Sequence, residues 1–163
     1  SLRLGEPRYA HSATALPGGK VLIAGGAYPL AGDKEGLRRS LELVDLAAGT
    51  VTRLDSGFAA VQHSATRVGD ERVLLIGGSD STAPELPSAR HAAFGQTWLF
   101  ELPDKVERLV DLPEPRYGHI VVDELRKIGA APPAPGAPTK MVVIGGYGPE
   151  KTLAPHLYEL QLP

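Results

Sequence analysis

The chain has 163 residues, a formal net charge of −2, 42% hydrophobic residues and no cysteine. That is enough apolar material for one folded core. Lys plus Arg (17) nearly balance Asp plus Glu (19), so there is no basic footprint for nucleic acid. Without cysteine, disulfides, thiolate metal sites and cysteine nucleophiles are excluded, and no apolar run nears the roughly 20 residues of a membrane span.

Nineteen glycines and fifteen prolines punctuate the chain, as expected of many short strands joined by turns. In chain order, residues 1–4 come first, where Arg3-Leu4 lines up with the later Arg53-Leu54 and Arg108-Leu109. The first unit follows. It has a strand carrying His11 (9–16, strand A) and an apolar run, Val21-Leu22-Ile23-Ala24, closed by Gly25-Gly26 (B). An alternating strand (41–46, C) and a short one (50–54, D) complete it.

The second unit repeats this with His63 (60–68), Val73-Leu74-Leu75-Ile76 before Gly77-Gly78, then 98–102 and 105–109. The third has His119 (117–125), Met141-Val142-Val143-Ile144 before Gly145-Gly146, and a C strand at 156–160, with no D strand after it. The histidines recur at intervals of 52 and 56 residues. From histidine to first glycine is 14 positions in two units and 26 in the third, where 126–140 reads as a proline-rich insertion. A continuous apolar run bounded by glycine suits a strand covered on both faces, and a period near fifty suits propeller blades. One helical turn at 37–43 is the only helical expectation.

Arg-Tyr-x-His opening strand A (Arg8 to His11, Arg116 to His119), then an apolar strand ending in Gly-Gly, then an alternating strand, resembles the kelch repeat. The resemblance covers nearly the whole chain. It departs from the family in strand D, where Val51 and Val106 replace the usual tryptophan. It implies an all-β, kelch-type β-propeller segment of about three four-stranded blades spanning 1–163: blade 1 about 8–54, blade 2 about 60–109 and blade 3 about 116–162. Residues 1–4 then read as the remnant of a fourth strand. Three blades form an open arc, because closed rings have at least four. The exposed edges call for missing propeller blades or for a second copy of the chain, six blades closing as a homodimer.

Strand direction puts the D-to-A and B-to-C connections on one face. The B-to-C connections are long, and long loops on a rigid scaffold are where binding residues sit. They offer Tyr28, Asp33, Lys34, Arg38, Arg39, Asp80, Glu85, Arg90, His91, Tyr147 and Lys151. In kelch propellers that bind acidic peptides, arginines at the start of strand A line the pocket. By that resemblance Arg8 and Arg116 become binding candidates, against the plainer reading that each braces its own blade.

Catalytic chemistry finds little support. His11, His63 and His119 sit in three blades, too far apart to share one metal ion, and read as structural groups donating to backbone. The kelch oxidase type depends on a cysteine–tyrosine crosslink, which this chain cannot make, and the sialidase Asp box is missing. Ser12 and Ser64 are not triad members with the adjacent histidines, since neighbouring strand residues face opposite ways. Glu42 and Asp45 fall on the solvent side of their strand. The expectation is a non-catalytic protein-interaction scaffold without metal or cofactor. The alternatives are a piece of a propeller enzyme (oxidase, hydrolase or sugar isomerase) with its catalytic residues in other blades, or a structural subunit. Arginine (11) over lysine (6) suggests a GC-rich bacterial genome, where such proteins are often exported.

Overall fold

The computed structural model describes residues 1–32, 35–82, 92–123 and 139–162. Three antiparallel sheets stand side by side in an open, propeller-like arc, with no α-helix among the described residues. The first sheet is β1 (Ser12–Leu16), β2 (Lys20–Ala24), β5 (Ser40–Asp45) and β6 (Thr50–Asp55), in that order. Between β2 and β5 the chain forms a separate hairpin, β3 (Ala27–Pro29) with β4 (Glu35–Leu37). The second sheet orders β7 (Ser64–Val68), β8 (Arg72–Ile76), β9 (Thr97–Glu101) and β10 (Lys105–Arg108). The third has three strands, β11 (Ile120–Asp123), β12 (Thr139–Ile144) and β13 (Tyr158–Leu162). Residues 1–4 join no strand.

Each sheet packs its face on the next. Leu22, Ala24, Leu41 and Leu43 of the first sheet meet Val73, Leu75 and Phe100 of the second. The alternate residues of β8, Leu74 and Ile76, turn the other way to meet Met141, Val143 and Leu162. That alternation follows from the two-residue period of a strand, and it makes β8 apolar at every central position. Among the described residues only this middle sheet has a sheet packed on each face, β9 likewise sending Phe100 one way and Leu99 the other; Ile144, at the end of β12, is 37% exposed.

Several boundaries differ from the sequence reading. Strand A begins after each histidine rather than two or three residues before it. The preceding residue, Ala10, Gln62 or Gly118, is left-handed with φ of 52°, 55° and 62°, which breaks the ladder. The expected helical turn at 37–43 does not form: Leu37 ends β4 and the chain enters β5 at Ser40, where Leu41 and Leu43 pair with Leu54 and Thr52. The third C strand starts at Tyr158, leaving His156 and Leu157 outside it, and Thr139 and Lys140 belong to β12 rather than to the insertion. The rest of that insertion, 126–138, lies outside the described residues.

Candidate functional site

The junction between sheets is built the same way twice. The Gly26 N–H donates to the Ala60 carbonyl and the Gly78 N–H to the Arg116 carbonyl, both at 2.9 Å. Gly25 and Gly77, each at φ of +62°, leave room for the next sheet's histidine. A Cβ on Gly25 would stand 2.4 Å from the Ala60 oxygen and 2.8 Å from His63, and one on Gly77 2.5 Å from the Arg116 oxygen and 2.8 Å from His119. Glycine is therefore required by space as well as by φ.

Into these gaps the histidines reach back to the previous sheet. His63 Nε2 hydrogen-bonds Ser12 Oγ at 2.8 Å, and His119 Nε2 hydrogen-bonds Ser64 Oγ at 3.0 Å. The partner is a hydroxyl one sheet away, not backbone as the sequence reading expected. Each serine thus pairs with the histidine 51 or 55 positions on rather than with its sequence neighbour. Both Nδ1 atoms are buried without a hydrogen-bond partner among the described residues. Burial pushes both imidazoles down to about 4, with the nearby Ala60 carbonyl partly opposing the shift at His63 and the Arg116 charge adding to it at His119. Among the described residues no carboxylate orients either ring, so these pairs lack the third group of a hydrolytic triad there.

Arg8 and Arg116 have fully buried side chains. Arg8 donates to the Gly25 and Ser40 carbonyls at 2.9 Å and to Glu42 Oε1 at 2.7 Å. Arg116 donates to the Gly145 and His156 carbonyls at 3.0 Å and to Glu114 at 3.2 Å, with its guanidinium over the Tyr158 ring. Each guanidinium ties the glycine end of strand B to the entry of strand C, so both are committed to bracing their sheets. Glu42, expected on the solvent side, is buried as the counter-charge of Arg8, and it also accepts the Gly5 N–H at 2.8 Å.

On the loop face, Arg38 lies 4.0 Å over the Tyr28 ring and donates to the Pro7 carbonyl at 2.9 Å. Asp80 accepts the Ala92 N–H at 2.9 Å, and Tyr147 stacks on Tyr117 at 5.7 Å between ring centroids. Arg90 and His91, like Asp33, Lys34 and Glu85, lie outside the described residues. The structure brings Tyr28 and Arg38 together in the first connection, and leaves Asp80 and Tyr147 on the connections of the other two sheets.

Two features were not read from the sequence. Glu35 accepts from Tyr9 Oη and from both the hydroxyl and the N–H of Thr82, tying the β3–β4 hairpin to the second sheet. Burial opposes its ionisation, but the Thr82 and Tyr9 hydrogen bonds outweigh it and hold the carboxyl below its ordinary value. The other is an open cleft of 340 Å³ between the first two sheets, lined by Leu37, Arg39, Phe94, Gln96, Arg108 and Asp111 among others. Arg108 is paired with Asp111 at 2.8 Å. The exposed Arg39 side chain has no hydrogen bond or ion pair among the described residues. No signal in one sequence could have placed these segments side by side, because four separate connections meet there.

Among the described residues no three His, Asp or Glu side chains cluster as metal ligands, and no helix is long and apolar enough to cross a membrane. No family model matches the chain, and no curated protein matches it. A solved structure titled "Structure of YjhT" superposes with a TM-score of 0.68 at 12% identity, covering 97% of this chain and 50% of that one. The chain therefore spans about half the length of that structure. At this identity the likeness is one of fold.

Proposed function

We propose that the chain is part of a kelch-type propeller that binds a protein partner through the face carrying its long connections. The observation that carries this reading is the cleft between the first two sheets, where Arg39 is the cation without a counter-charge among the described residues. Arg108 beside it is neutralised by Asp111, so an entering carboxylate is drawn to Arg39. Leu37 and Phe94 supply apolar wall. That combination suits an acidic side chain or a chain terminus flanked by an apolar residue. The tripled glycine and histidine pattern supports the kelch assignment, and Arg8 and Arg116 then act as braces behind the binding face.

The test immobilises the chain and measures a partner captured from its source. Arg39→Glu is expected to weaken that partner's binding by about tenfold or more. Asp104→Arg, in the C-to-D turn on the opposite face, is expected to leave binding unchanged. Equal loss from both variants, or loss from the second alone, rejects this face.

A further inference from the structure

The inter-sheet junction is formed at Gly25 and Gly77 and left open at Gly145. A Cβ on Gly145, at φ of +67°, would meet nothing within 4 Å among the described residues. The Gly146 N–H has no acceptor among the described residues, where those of Gly26 and Gly78 each donate to the following sheet. Ala24 and Ile76, just before the filled glycines, are fully buried, while Ile144 is 37% exposed. An unused donor, an unfilled hollow and an exposed apolar rim therefore coincide where the other two sheets receive a neighbour.

One residue in this face departs from the pattern. Ser12 and Ser64 receive the incoming imidazoles, and Ile120, 59% exposed, stands at the same position after His119. An imidazole docked against Ile120 would find no hydroxyl and would be buried with both nitrogens unpaired, a costly arrangement.

The geometry points to the outer face of the third sheet, centred on Gly145 and Ile120, as a docking face for a further antiparallel sheet whose residue at the histidine position is apolar. The occupant offers a backbone carbonyl to the Gly146 N–H and an aliphatic side chain to Ile120. His11, exposed at the other edge of the arc, is the wrong side chain for this hollow, so a second copy of the chain is not the matching neighbour. This docking is independent of the loop face, and either can fail without the other.

The probe is the chain itself, with its edge residue changed. Four forms are compared by weight-average mass in light scattering over a concentration series: wild type, His11→Leu, Ile120→Ser, and the double variant. His11 and Ile120 are both exposed, so circular dichroism is expected to show the same strand content in all four. Each single variant creates a matched pair, an aliphatic side chain against Ile120 in His11→Leu and a hydroxyl against His11 in Ile120→Ser. Both single variants are expected to self-associate about tenfold more tightly than wild type and the double variant. Adding Gly145→Val to His11→Leu is expected to abolish that gain. Equal association in all four forms would overturn the assignment. So would a discrete wild-type dimer as tight as the single variants, which would make the second copy the occupant.

Discussion

Arg8 and Arg116 occupy equivalent positions, make equivalent bonds to carbonyls and each pair with the carboxylate two positions earlier, Glu6 and Glu114, yet Arg8 has a second, buried partner. Glu42 is buried with Arg8, whereas Glu114 is 43% exposed beside Arg116. Removing Arg8 strands a buried carboxylate, a change that costs about 3–5 kcal/mol. Removing Arg116 leaves two carbonyls short of a donor while Glu114 turns to water, at about 1–3 kcal/mol. Arg8→Ala is therefore expected to be the more destabilising variant in chemical denaturation. Equal costs would mean that the buried pair is not the main contribution. The two arginines were legible as repeat-equivalent in the sequence. Their division of labour was not, because the decisive partner of Arg8 lies 34 residues away.

At the scale of the elements, the paired glycines terminate strand B where the next sheet arrives. Gly25, Gly77 and Gly145 share a positive φ, so alanine at any of them carries a left-handed cost of about 1–2 kcal/mol. At Gly25 and Gly77 the new methyl also meets a backbone carbonyl at 2.4 and 2.5 Å, which cannot move without displacing the neighbouring sheet. Overpacking of that kind adds about 1–3 kcal/mol. Gly25→Ala and Gly77→Ala should each lower the denaturation midpoint clearly more than Gly145→Ala. If all three fall together, backbone strain alone is at work. The strands themselves were largely readable from their alternation and apolar runs. Their starts were not, because Ala10 and Gln62 adopt left-handed φ that neither residue type signals.

For the molecule as a whole, His63 and His119 hold the two filled junctions, so their protonation bears on the arc rather than on one loop. Both are lowered to about 4 in the folded chain, against 6.5 when unfolded. The unfolded chain thus binds more protons below pH 6.5, and stability falls as pH drops from about 6.5 to 4. Above 6.5 this contribution is fully present, and below 4 it has no further slope. Urea midpoints measured across that window should decline, and the decline should flatten in a His63→Leu, His119→Leu variant even though that variant is weaker overall. An undiminished slope across that window would show that groups other than these two imidazoles carry it.

From the sequence alone came the all-β class, the threefold repeat, the central apolar strands and the open arc. Each rests on local periodicity or on self-similarity, which a single chain carries in its own order of residues. Tertiary structure decided what those residues face. It turned Glu42 inward, joined Ser12 to His63 and Ser64 to His119, drew Arg39 to the cleft between two sheets, and left Gly145 without a neighbour among the described residues. Such contacts join residues tens of positions apart, so they are set by how the sheets pack and not by the pattern within any one strand.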